Sequence, residues 1–306
     1  MPILTKWPFS RENQNRLTPS AATVGDESAF FQICANASCK SGWMKLWRSR
    51  QTPVLEGKWA CSSTCMQEMV KAAVLREMAE TSQGPAVHLH RVPIGLLLLS
   101  QGHITQDQLK RALTAQKESG SGRLGEWLIK QKAVDEDRVT RALSAQWNCP
   151  VLSADPHDPA AMAAMLPRLL VDSFGMLPLR LAGRRLLYVA FEDRIDRCMT
   201  LAIERMSGLA VEAGLLRGSE FRRLRQEALR APFPKIRLLE VANVRGLVLT
   251  LAGMIEERKP TQARIVRVHD YFWLRLWHTS PIGDDRKPIP GTDDVEDMVC
   301  SLAHHG

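Results

Sequence analysis

The chain has no apolar run long enough to cross a bilayer. The longest, such as Ile94–Leu99 with its Gly95, fall far short of the roughly 20 apolar residues that a spanning helix needs. The first ten residues, MPILTKWPFS, have no apolar centre of the kind a secretory signal carries. Seven cysteines are an odd number, which without such a signal points to a reducing compartment rather than a disulfide scaffold. With 45% hydrophobic and 24% charged residues the composition is that of a folded soluble chain, not a disordered one. No nucleophile–base pair and no open metal site stands out, so the sequence reads as non-enzymatic and its function has to be argued from binding features. His269, His278, His304 and His305 do not group as metal or catalytic residues.

What is present fills 306 residues, enough for two or three domains. Lys plus Arg number 41 against 33 Asp plus Glu, a net charge of +8 that suits an anionic partner without establishing one. The pattern predicts an α+β chain. Residues 1–30 read as a flexible arm, 31–80 as a four-cysteine zinc-finger-like module, and 81–90 as a linker. Residues 91–150 read as a tandem short-helix repeat bundle, followed by a small mixed α/β layer over 151–226. A small helix-plus-hairpin unit is expected at 232–279, its helix starting near Leu239, and a loose tail over 280–306.

Cys34 and Cys39 are separated by four residues, Cys61 and Cys65 by three, with 21 between the pairs. Two close pairs flanking a loop bring four thiolates to one tetrahedral ion, the geometry zinc takes with sulfur, and four protein ligands make such a site structural. The second pair opens a helical segment, CMQEMVKAAVLREM. A unit of about 50 residues is marginal without such a staple, and structural zinc contributes roughly 10–16 kcal/mol in small fingers. The loop carries Trp43, Trp47 and Trp59 among Lys40, Lys45, Arg48 and Arg50. Basic residues interleaved with aromatics suit nucleic acid; a solvated loop around a small core is the plainer reading. Cys149, Cys198 and Cys300 read as buried free thiols.

Residues 93–116 and 123–146 repeat one another at an offset of 30, with nine of 24 positions identical, among them Gly95/Gly125, Leu113/Leu143 and Gln116/Gln146. Each copy reads as two short helices, the second opened by Thr105 or Asp135 as N-cap. The sequence GSGRLG at 120–125 matches a dinucleotide-binding fingerprint only by letter, because it follows a helix and not a strand. Further on, 176–181, 186–191 and 209–216 read as strands, 193–207 as a helix, and Trp273 with Trp277 as a candidate aromatic pair on one strand face. Arg222, Arg223, Arg225 and Arg230 form the solvated face of another helix.

The pattern RLG, an apolar pair, then L-x-x-A-L-x-x-Q, given twice, resembles the N-terminal domain of type II secretion and type IV pilus assembly ATPases. The resemblance spans about residues 91–226. It implies a regulatory or adaptor protein of bacterial type, cytoplasmic, with a protein partner in secretion or pilus assembly and with cyclic di-GMP as candidate ligand. Carried over residue by residue, it implies Ile94, Gly95, Leu109, Leu113 and Gln116 in the first copy as ligand-binding. In the second copy it implies Arg123, Leu124, Gly125, Val139, Leu143 and Gln146. The chain departs from the family pattern at Pro93, where the first arginine would stand, at Lys132 in place of glycine, at Val139 in place of leucine, and in a six-residue spacer. No phosphate-binding GxxxxGK[ST] occurs, so the sensing half is expected without the motor. Two readings from other classes stand beside this one: a zinc-containing nucleic-acid-binding regulator, and a purely structural interaction module.

Overall fold

Glu56 and Gly57 both take left-handed backbone, at φ 52° and 75°. That is the geometry of the two-residue turn joining β1 (Val54–Leu55) to β2 (Lys58–Trp59). The computed structural model describes residues 34–40, 54–83, 91–155, 157–279 and 289–303, all within the compact unit Cys34–Gly306. Trp43, Trp47, Lys45, Arg48, Arg50, His304 and His305 lie outside the described residues, as does the N-terminal arm. α1 (Ser63–Gln83) buries Met66, Val70, Ala73, Val74 and Glu77, a stripe three and four residues apart, and runs three residues into the stretch read as linker.

Four helices follow: α2 (Ile94–Ser100), α3 (Gln106–Ser119), α4 (Leu124–Lys130) and α5 (Glu136–Trp147). Thr105 opens α3 with a reciprocal cap. The Gln108 N–H donates to Thr105 Oγ1 at 3.3 Å and the Thr105 N–H to Gln108 Oε1 at 2.8 Å. Asp135 opens α5 by accepting from the Arg138 N–H at 2.8 Å. After α2, Gly102 turns the chain at φ 69°; after α4, Lys132 does the same at φ 54°. The His103 and Ala133 amides then donate to the Leu98 and Leu128 carbonyls, both at 2.9 Å. A non-glycine residue there carries strain of about 1–2 kcal/mol. Lys132→Gly is therefore expected to stabilise the chain by up to about 1 kcal/mol, after the greater freedom of unfolded glycine is subtracted. Gly102→Ala should do the reverse, and melting temperatures of the two variants check both signs.

The next elements are α6 (Pro159–Met162), a 3-10 turn at Ala163–Met165, α7 (Arg168–Ser173), β3 (Met176–Ala182), β4 (Leu186–Phe191), α8 (Arg197–Ser207), β5 (Ala210–Leu215) and α9 (Gly218–Ala228). β3 pairs antiparallel and β5 parallel with the central β4.

The C-terminal part departs from its sequence reading. Residues 235–241 form β6 (Lys235–Val241), and the helix, α10 (Val244–Arg258), starts only after Asn243, whose Oδ1 accepts from the Gly246 N–H at 2.9 Å. β7 (Gln262–Val268) and β8 (Tyr271–Trp277) make a hairpin, and residues 295–302 of the expected loose tail form β9 (Val295–Leu302). The two surprises have one cause. β6 and β9 pair with each other in parallel over Lys235↔Glu296 to Val241↔Leu302, and a partner that distant in sequence leaves no local signal.

β1 also pairs with β7, in parallel at Leu55↔Ala263, so the sheet order is β2-β1-β7-β8-β9-β6. The cysteine-rich segment and the C-terminal unit, separate in the sequence reading, thus share one sheet and one core. α1 and α10 cover the face carrying Ala263, Ile265, Phe272, Leu274, Leu276, Met298 and Cys300. The opposite face, with Val266, Val268, Trp273, Trp277, Val295 and Val299, packs on the β3–β5 layer. Trp273 and Trp277 are 1% and 3% exposed, so they are core and not a partner surface.

Two buried polar groups stitch these layers. Arg275 reaches Asp297 through Nε at 2.7 Å and Nη2 at 2.8 Å, and donates from Nη1 to the Ala164 and Met165 carbonyls at 3.0 and 2.7 Å. Trp273 Nε1 donates to the same carboxylate at 2.7 Å. Glu77 of α1 accepts from Arg205 of α8, from Arg76 at 3.3 Å and from the Arg267 N–H at 3.0 Å; burial pushes its carboxyl up, against the pull of these donors. Among the described residues no helix is long and apolar enough to cross a membrane.

Candidate functional site

The four N-terminal thiols converge. Cys39 and Cys61 Sγ are 3.5 Å apart, as are Cys61 and Cys65, and one donor atom of each of the four lies within 4.8 Å of the others. A tetrahedral zinc with bonds of about 2.3 Å sets its sulfurs about 3.8 Å apart, so the donor set fits that ion after small shifts. None of the four is in a disulfide. Local structure explains the convergence. The Ala35 N–H binds the Trp59 carbonyl at 2.9 Å, which ties the first pair to β2, while Cys65 sits in the first turn of α1. The Cys61 N–H donates to Cys34 Sγ at 3.4 Å, a bond that favours thiolate. As thiols the four are not equivalent. Burial pushes Cys34 up to about 11, whereas the Ser62 hydroxyl holds Cys65 below its ordinary value.

The second candidate is the duplicated unit. Its two copies exchange a bond: Gln116 Nε2 donates to the Gly122 carbonyl at 2.9 Å, and Gln146 Nε2 to the Val92 carbonyl at 2.7 Å. Each copy's last helix therefore holds the entrance of the other, an internal twofold with two seams. The glycines serve packing. A Cβ on Gly95 would stand 2.8 Å from Leu109 Cδ1 and 3.0 Å from Leu124 Cδ2, and one on Gly125 2.9 Å from Val139 Cγ1. Leu109 and Val139 are buried, and Ile94, Leu124 and Leu143 pack partly against the same core. Seven of the eleven residues carried over from the family, Gly95, Gly125, Leu109, Val139, Ile94, Leu124 and Leu143, thus take part in helix packing.

The two seams differ. At the first, Leu113 is 45% exposed, Gln116 lies one turn further on, and its Gly122 partner precedes Arg123, whose side chain is exposed. Arg123 Nε lies 3.2 Å from Asp193 and its Nη1 3.6 Å from Glu192, carboxylates that follow β4. At the second seam Leu143 is half-buried against both the helical core and the β3–β5 layer. Pro93 stands where the arginine would, and Arg91 lies over the Trp147 ring at 3.5 Å. Among the described residues the first seam sets an exposed arginine, ion-paired to Glu192 and Asp193, beside the exposed Leu113 and the half-buried Gln116 amide.

Of the other cysteines, Cys300 is buried, its thiol pushed up to about 11 by that burial, and Cys149 is half-buried. Cys198 is exposed, contrary to the sequence reading. The sequence reading also missed that Asp196, Cys198 and His269 meet; no signal in the sequence spacing points to it, because 70 residues separate Cys198 from His269.

No protein-family model matches the chain, and no curated protein matches it. Among solved structures it is similar to MshE with cdg, at 25% identity and a TM-score of 0.37, over 45% of this chain and 99% of that one. It is also similar to the N-terminal domain of XpsE in two crystal forms. The first is at 21% identity and a TM-score of 0.33 over 44% of this chain and 91% of that one. The second is at 21% and 0.26 over 42% and 89%.

Proposed function

We propose that the chain is a non-enzymatic regulatory adaptor that carries a structural zinc on Cys34, Cys39, Cys61 and Cys65. Its duplicated unit takes an anionic ligand of the cyclic dinucleotide class at the first seam. The ligand class comes from the motif resemblance, with cyclic di-GMP as its specific form and a secretion or pilus component as the protein partner. The observation that carries the reading is the cluster of Leu113, Gln116 and Arg123 at one seam. An apolar side chain covers a base face, an amide meets a base edge, and a guanidinium meets phosphate or a guanine acceptor. Glu192 and Asp193 hold Arg123 in the meantime, so ligand phosphate has to displace carboxylate.

Titration of cyclic di-GMP in a calorimeter tests this. Wild-type protein is expected to bind at micromolar levels or tighter. Arg123→Ala should lose about tenfold or more, the scale of one charge-assisted bond. Glu192→Gln with Asp193→Asn should bind more tightly than wild type. No heat at millimolar ligand in the wild type and in the double variant removes the ligand reading. The structural-module reading then stands, and it has its own support in the inward packing of Gly95, Leu109, Gly125 and Val139.

A further inference from the structure

A second group of metal-type donors lies far from the four-thiol cluster in sequence and on different elements. Asp196 caps α8: its Oδ1 accepts from the Met199 N–H at 3.1 Å, which fixes the carboxylate and leaves Oδ2 to a partner outside the helix. Oδ2 lies 2.8 Å from Nε2 of His269. His269 sits at the tip of the β7–β8 hairpin with left-handed backbone, φ 51°. Its ring is stacked on Phe174 with centroids 5.3 Å apart and planes 9° from parallel, so the imidazole is held in place from the side as well. Cys198, two residues beyond Asp196 in the first turn of α8, adds a thiol, and one donor atom of each residue lies within 4.8 Å of the other two.

An aspartate–histidine ion pair would account for the first two groups. It does not account for a third donor, a soft one, brought to the same point. We propose that Asp196, Cys198 and His269 form an open-sided site for a borderline divalent cation of the zinc, cobalt or nickel type. The donor chemistry selects the class. Imidazole and thiolate suit these ions, whereas magnesium and calcium take oxygen ligands almost alone. Three protein donors leave one tetrahedral position, and the exposure of Cys198 places that position toward solvent. The site is therefore of the exchangeable kind, able to release its ion or accept an external ligand, in contrast to the closed four-thiol cluster. It is independent of the cyclic dinucleotide reading and of the cluster's occupancy.

The test is the zinc bound by the full-length chain at equilibrium dialysis against zinc, counted as the excess over the dialysate, with native mass spectrometry beside it. Wild-type protein is expected to hold one more zinc per chain than Cys198→Ser and than His269→Asn; asparagine keeps the left-handed backbone accessible. Cobalt added to protein whose exchangeable ion has been dialysed away should produce a thiolate-to-metal charge-transfer band that disappears in Cys198→Ser. Cys198 is exposed, so without added metal its serine variant should melt as wild type does, which separates loss of metal from loss of fold. Equal metal content in all three proteins, with no cobalt band that depends on Cys198, overturns the proposal and leaves an ion pair that fastens the hairpin to α8.

Discussion

Asp297→Ala is expected to destabilise the chain by about 3–5 kcal/mol, the scale of breaking a buried ion pair from one side. Arg275 and Asp297 side chains are 4% and 0% exposed, so the arginine left behind has no water to turn to. It would keep only the Ala164 and Met165 carbonyls, and Trp273 Nε1 would lose its acceptor. The damage should not stay in the sheet. The two carbonyls belong to the 3-10 turn of the β3–β5 layer, so the pair pins that layer to the six-stranded sheet. Arg275→Met with Asp297→Leu should cost less than the sum of the single changes, because neither charge is then stranded. Urea denaturation of the wild type, Asp297→Ala, Arg275→Met, Asp297→Leu and the double variant measures this. A single-variant loss below about 1 kcal/mol would mean that the pair is solvated in a way the packing does not provide.

Removing zinc from the four-thiol cluster is the second large expected effect. An ion bound only by the folded chain stabilises it by about 4 kcal/mol at a free concentration 1,000 times its Kd. In a chain of this size that corresponds to a shift on the order of 10 °C in melting temperature. Chelation is thus expected to lower the melting temperature by that amount, and Cys61→Ser to do so without chelator. The consequence should reach the C-terminal strands, since Cys61, Cys65 and the buried face of α1 belong to the same core as Phe272, Leu274 and Met298. Hydrogen exchange would read this as faster exchange in β7 and β8 of the metal-free protein. Protons compete with the ion for thiolate, so the loss should come at lower chelator concentration as pH falls. A metal-free chain with unchanged melting temperature and unchanged exchange would show that the thiols are packing groups.

Much of the local structure was legible in the chain itself. The repeat, its caps at Thr105 and Asp135, and the strands near 176–182 and 186–191 follow from side chains acting within a few residues of themselves. The convergence of the four cysteines was legible from their spacing, since two close pairs lie a short stretch of chain apart. Lys132 shows the limit. Its left-handed turn comes from the helix before it and the bonds around it, not from the residue's own preference.

What the sequence by itself determined is therefore the set of elements and the chemistry each brings: four thiols, two copies of a helical pair, one arginine where the pattern asks for two. The tertiary structure alone decided which of these elements meet. It put the N-terminal hairpin beside β7 and turned a supposed tail into the strand that pairs with β6. It buried Trp273 and Trp277 between layers, closed one seam of the repeat and left the other open. It also brought His269 to Asp196 and Cys198. The physical reason is the same in each case. Periodicity and capping are local and written in neighbouring residues, whereas parallel strand pairing and side-chain convergence join residues tens to hundreds of positions apart, which only burial of a shared core selects.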